Sequence, residues 1–173
     1  MECRVRLAVK EDCKDILRMI RELAEYEKAS GHIKITEEML REDGFTDNPF
    51  YKCLVAELPP GQKSKEGFSI VGHALFVFSY SSWKGRIVYL EDIYVMPEFR
   101  GYGIGKKFMR RVARIGMESK CSAIQLAVLN WNDTAIDFYF RHGATDLTND
   151  TGYLVFRFEE EATRQLAQDD DGN

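Results

Sequence analysis

Metal-binding side chains are scarce in this sequence, which has three histidines and four cysteines in 173 residues. Cys3, Cys13, Cys53 and Cys121 are scattered without C-x-x-C spacing, so no zinc or other metal site is expected. A leader-type segment is missing, and no apolar run reaches the ~18 residues of a membrane helix. A cytoplasmic protein in a reducing compartment, away from membranes, is the expectation. Basic charge is lacking too. The formal net charge of −4 offers nothing to a nucleic acid and favours cationic ligands. Repeats and linkers are absent, so one domain over residues 1–167 is expected, followed by a disordered acidic tail over 168–173. With 45% hydrophobic and 30% charged residues, the chain has the composition of a globular protein able to bury a core without disulfides or metals.

What is present is periodicity. Residues 4–9 alternate polar and apolar and read as a strand with Val5, Leu7 and Val9 on one face. Helical spacing follows over about residues 11–28 through Ile16, Ile20, Leu23 and Ala24, with Ser30-Gly31 as the stop. Thr36 reads as the N-cap of a short helix that Gly44 closes. After the break at Asn48-Pro49, residues 51–58, 69–80 and 86–96 read as antiparallel strands, ended by Pro97. Phe108, Met109, Val112, Ala113 and Ile115 mark an amphipathic helix, and residues 123–129 a short apolar strand. Residues 132–142 read as a helix stopped by Gly143, and 153–158 as the last strand. This order predicts a mixed α/β domain: a mostly antiparallel central sheet flanked by helices, with one right-handed crossover.

That crossover opens on Arg100, Gly101, Tyr102, Gly103, Ile104, Gly105 and Lys106. Glycines at every second position between a strand and a helix leave several backbone N–H groups unobstructed, and the helix adds its unpaired first-turn donors and dipole. Such a loop binds a phosphate or pyrophosphate. A P-loop is excluded because Arg100 stands where its first glycine would be and Lys107 where its Ser or Thr would be. A dinucleotide fingerprint is excluded because Gly105 comes one residue too early.

The remaining pattern, R-x-x-G-x-G, resembles the acetyl-CoA pyrophosphate loop of the GCN5-related N-acetyltransferases (GNAT). A second signature agrees: Asn132, Ala135, Tyr139 and Gly143 have the spacing N-x-x-A-x-x-x-Y-x-x-x-G. The runs Tyr26-Glu27, Asn48-Pro49-Phe50-Tyr51, Tyr89-Leu90-Glu91-Asp92 and Trp131-Asn132 resemble the diamine (spermidine/spermine) acetyltransferases. Ile93-Tyr94-Val95-Met96-Pro97 and Glu161-Ala162-Thr163-Arg164 are most similar to their thialysine N-epsilon-acetyltransferase branch. The resemblance implies acetyl-CoA as co-substrate, a small cationic amine as acceptor and a homodimer.

The residues admit that chemistry. An alkylamine with a pKa near ~10 must lose a proton before it attacks, and the leaving thiolate must gain one. Strict strand alternation would place Tyr89, Glu91 and Ile93 on one face and Leu90, Asp92 and Tyr94 on the other. Glu91 is the candidate base, through water, and Asp92 the group that neutralises or positions the cation; structural pairing of either acid with Arg or Lys is the alternative. By resemblance, Tyr139 protonates the thiolate, where its alternative is a place in the core. Also by resemblance, Asn132 and Arg141 contact the cofactor, and Ile93, Tyr94 and Val95 offer backbone groups to its acetyl and pantetheine arms. Tyr26, Glu27, Gln125, Leu126 and Ala127 match amine-side positions. Thr151 departs from the diamine enzymes, which carry an acid there, and this puts long polyamines in doubt. A protein-lysine acetyltransferase and a non-catalytic acyl-CoA sensor are the competing functions.

Overall fold

The alternating segments pair into one five-stranded sheet in the order β1 (Arg4–Leu7), β2 (Lys52–Glu57), β3 (Ile70–Ser81), β4 (Gly85–Val95) and β5 (Ala123–Leu126). The computed structural model describes residues 2–168, which fall into two units, Met1–Leu129 and Asn130–Asn173. In the first unit β1 to β4 are antiparallel neighbours, whereas β5 runs parallel to β4. A parallel neighbour requires a crossover, and α3 (Ile104–Glu118) supplies it. The β5 pairing covers β4 only from Ile87 to Leu90, so residues Glu91 to Val95 run on past the end of β5.

The two faces of the sheet are covered by different helices. Gly72 and Val88 meet the Phe108 and Gly116 positions of α3, where a Cβ on Gly72 would press on the Phe108 ring and one on Gly116 on Val88. On the opposite face the Tyr94 hydroxyl donates to Glu22 of α1 (Cys13–Tyr26) at 2.7 Å. Phe108 and Val112 from α3 and Ile16 and Met19 from α1 are fully buried, and each such side chain contributes about 1.5–3 kcal/mol. Arg18 ties α1 to the sheet, donating to the Ile70 carbonyl at 2.7 Å while its guanidinium lies over the Phe68 ring.

Helix ends differ from expectation in two places. α1 stops at Tyr26, with Glu27 as its cap and Lys28 in the left-handed region at φ 58°, before Ser30-Gly31 is reached. Thr36 does cap α2 (Glu37–Gly44), accepting from the Met39 N–H. Gly44 is the last residue of α2, as expected, but it closes the helix without the left-handed φ of a capping glycine. A glycine is needed there for space, because a Cβ would overlap the Tyr51 ring.

The second unit, taken by itself, is helical: α4 (Asp133–Arg141), α5 (Leu147–Thr151) and α6 (Glu160–Gln168). Residues 153–158 form no strand, and Val155 and Phe156 are 92% and 85% exposed. Their alternation suits a strand, but a ladder needs a partner edge and this unit has no strand of its own. α6 was not expected. Its sequence signal is Glu160 and Glu161 placed to pair with Arg164 one turn on, as both do. Of the residues expected to form a tail, Gln168 is the last residue of this helix, and 169–173 lie outside the described residues.

Candidate active site

Both acids of β4 lie in this sheet, but not with the expected alternation. Leu90 and Asp92 stand opposite the consecutive residues Phe76 and Leu75, so Glu91 is the extra residue of a β-bulge. Cross-strand partners share a face, so the bulge puts Leu90 with Ile93 and Val95 toward α3, and Tyr89 with Asp92 and Tyr94 toward α1. Glu91 is exposed, and Asp92 is half-buried.

The end of α1 brings a third carboxylate to these two. Burial first, then the charges of Asp92 and Glu91, push the Glu27 carboxyl above its ordinary value. Three carboxylates that feel one another in a partly desolvated place repel, and a bound cation relieves that repulsion. Tyr26, beside Glu27, is 44% exposed. The Arg100 guanidinium lies 5.7 Å from the Tyr26 ring centroid and 5.6 Å from that of Tyr94. Gln125 and Leu126 on β5 pair with Tyr89 and Leu90, and Ala127 follows the strand end. In the first unit the structure therefore groups Tyr26, Glu27, Glu91 and Asp92, and sets Gln125 on the strand neighbouring Tyr89.

The glycine loop follows directly. Gly101 and Gly103 have φ values of 84° and 80°, a region closed to side chains without strain, and Gly103 is the N-cap of α3 with no side-chain cap over the first-turn donors. Ile104 turns its side chain into the core, leaving its backbone at the helix start, while Tyr102 and Lys106 are exposed. Arg100 fixes the loop to β4 by donating from Nε to the Val95 carbonyl at 2.8 Å. Tyr94 is buried and its hydroxyl belongs to Glu22, so only its backbone is left for a ligand. The uncapped helix start and the β4 edge beyond Leu90 fit a pyrophosphate joined to an extended arm.

The other expected site residues belong to the second unit. The Asn132 side chain caps α4 by accepting from the Ala135 N–H at 3.3 Å. Tyr139 is half-buried, its ring edge-on to Phe138 with centroids 5.5 Å apart. Arg141 is exposed near the end of α4, its Nε donating to the Asp137 carbonyl. Thr151 uses its hydroxyl on the Leu147 carbonyl inside α5.

One residue escaped the sequence reading. His73 is fully buried on β3, with Nε2 3.8 Å from Asp92 Oδ2. Its signal was available, as a lone imidazole within the apolar run Ile70 to Phe76.

Comparison with known proteins bears on the family and the fold. A family described as "Acetyltransferase (GNAT) family" matches residues 16–144, across the boundary between the two units. The mouse "Thialysine N-epsilon-acetyltransferase" is 55% identical over 164 residues, covering 95% of this chain and 96% of the relative. The human "Spermidine/spermine N(1)-acetyltransferase-like protein 1" is 39% identical over 163 residues, 94% of this chain but 23% of that longer protein. Among solved structures, an integron cassette protein from the mobile metagenome of V. cholerae superposes with a TM-score of 0.73 at 22% identity, covering 97% of this chain and 99% of that one, a likeness of fold alone. With the glycine loop, the bulged acidic strand and a family match over most of its length, the chain belongs to the GNAT acetyltransferase family.

Proposed function

We propose that this chain is an acetyl-CoA-dependent N-acetyltransferase whose acceptor is the primary amine of a small cationic molecule, thialysine-like or a short diamine. The two units act as one catalytic domain, in a homodimer, in the cytoplasm. The observation that carries the reading is the trio of Glu27 at the end of α1 with Glu91 and Asp92 on the strand that leads into the glycine loop, whose mutual repulsion makes a cation the fitting ligand. The name of the 55% identical relatives supports a thialysine-like acceptor.

Acetyl-CoA supplies the activated acetyl thioester. The N–H groups of Gly101 to Lys106 hold its pyrophosphate, the Ile93 and Val95 backbone takes the extended arm by strand-type pairing, and Asn132 and Arg141 add contacts. Asp92 and Glu27 hold the ammonium. Glu91 removes one proton from the ammonium through water, the freed nitrogen forms the new amide bond by direct attack as the C–S bond breaks, Tyr139 gives its hydroxyl proton to the departing sulfur, and the second proton shed by the acylated nitrogen restores the phenol. N-acetylamine and free CoA thiol leave. Thr151 brings no charge for a distant second ammonium, worth ~1 kcal/mol or roughly 5-fold in affinity at an exposed site, so spermine is the poorer acceptor.

The test is thiol release from acetyl-CoA with thialysine, putrescine, spermine and a lysine-containing peptide. Turnover is expected with the small amines, thialysine leading, and Thr151→Glu should raise the spermine value selectively. A best rate with the peptide would make this a protein-lysine enzyme, and CoA binding without any thiol release would make it a sensor. Light scattering at assay concentration reading a 20.0 kDa species would remove the homodimer.

A further inference from the structure

His73 has no place in the chemistry above, yet its surroundings tie it to one of the acids. Its side chain is fully buried, and neither ring nitrogen has a hydrogen-bond partner among the described residues. Val55 of β2 stands opposite it on one side and Tyr94 of β4 on the other, the Tyr94 ring 6.2 Å away. Tyr94 gives its own hydroxyl to Glu22 of α1. Cys53 of β2, opposite Leu75, is a buried thiol pushed well up by burial and then by the Asp92 charge, so β2 brings no charge to the ring. The basic group at ion-pair distance from the Asp92 carboxylate among the described residues is His73, at 3.8 Å, and no hydrogen bond from a described side chain reaches that carboxylate.

A buried imidazole without partners is costly, and so is a half-buried carboxylate beside two other acids. One contact answers both. The 3.8 Å gap is about 0.8 Å longer than an N–H···O bond, a distance that a small rotation of either side chain closes. We propose that His73 is a positioning residue for acceptor binding: its Nε2–H donates to Asp92 Oδ2, which fixes the carboxylate and turns its other oxygen toward the incoming ammonium. The buried end of Asp92 is thus anchored on β3, and the exposed end is left to the ligand. The proposal rests on reading Asp92 as an acceptor-site group.

The test is a double-mutant cycle on amine KM, using thialysine or putrescine with acetyl-CoA, together with NMR of the ring. His73→Phe should raise amine KM about tenfold, the size of one charge-assisted hydrogen bond, with kcat and the KM for acetyl-CoA unchanged. Its Tm should stay near the wild-type value, because the unpartnered Nδ1 leaves an apolar site at the same time as the Nε2–H bond to Asp92 is lost. His73→Gln, which can present an N–H near the Nε2 position, should recover most of the loss. In an Asp92→Asn background His73→Phe should add nothing. The ring proton should sit on Nε2 in the wild type, and its 15N signals should move in Asp92→Asn. An unchanged KM, an equal rise in the Asp92→Asn background, or a proton on Nδ1 indifferent to residue 92 would overturn the proposal while leaving the acetyltransferase reading intact. If no amine is turned over, that reading fails, and the NMR measurement alone still decides whether His73 donates to Asp92.

Discussion

Gly103→Val separates the cost of a strained loop from the loss of a binding function. Gly103 has φ 80°, and a Cβ added there would meet no protein atom within 4 Å. The stability cost is therefore backbone strain alone, roughly 1–3 kcal/mol for a side chain in the left-handed region. Against a total stability of about 5–15 kcal/mol the protein stays folded, with Tm lowered by roughly 2–10 °C. Gly85 makes a matched control: it has φ 78°, equal freedom from neighbours, and lies at the other end of β4. Gly85→Val should lower Tm by a similar amount and leave CoA affinity alone. On the proposed reading the N–H groups of the uncapped α3 start at Gly103 serve a charged pyrophosphate, and losing two such bonds at about 1.5–3 kcal/mol each should weaken binding by roughly 10²–10⁴-fold. Calorimetry with CoA and a thermal melt on both variants measure the two effects apart. Equal CoA affinity for both variants and wild type would refute the loop assignment, whatever their melting temperatures.

The other predictions concern the acids, the proton donor and the core. Tyr139→Phe should lower kcat by roughly 10²-fold or more with amine KM and Tm little changed, and near-normal turnover would return Tyr139 to a packing role. Glu27 has its folded-state pKa raised above the ordinary 4.5, so the folded protein holds this proton more tightly than the unfolded chain. Stability then falls as pH rises from 4.5 through the folded value, and Glu27→Gln abolishes that fall: its Tm should exceed the wild type's at pH 7 and match it below pH ~4. The same variant should bind the amine more weakly, and a Tm difference that does not change with pH would contradict the acid cluster. Gly44→Ala should cost about 1–3 kcal/mol by forcing the buried Tyr51 ring aside, read as a lower midpoint in urea without a change in activity per folded molecule.

The parts legible in the sequence are those fixed by local chemistry. α1 and α3 follow from the 3.6-residue spacing of Ile16, Leu23, Phe108 and Val112, and the glycine loop from residues that any neighbour would leave free to adopt positive φ. Where an outcome depended on a distant partner, the sequence pattern pointed only part of the way. Residues 153–158 alternate as a strand does, yet pairing needs an edge that no local pattern specifies. Gly44 ends its helix as its sequence position suggests, but only the packed Tyr51 ring reveals that glycine is needed there for space. In the sequence His73 is a single polar residue in an apolar run, and only the pairing of β3 with β4 brings Asp92 near it.

The bulge at Glu91 explains why period-two reasoning failed at the most important strand. Ile93 and Val95 face α3, so strict alternation would put Glu91 on that same packed face, where a carboxylate costs several kcal/mol. The sheet avoids this with one extra residue. Leu90 takes the inward position and is 2% exposed, Glu91 is displaced to the surface, and Asp92 is turned to the side of Tyr94 and α1, where it and Glu91 act together on Glu27. The register shift that rescues the core is thus the same event that gathers the acids. A sequence with two adjacent carboxylates in an apolar strand, followed by apolar residues that must stay inside, asks for such a bulge, and the conflict between alternation and burial is the sign by which it can be read.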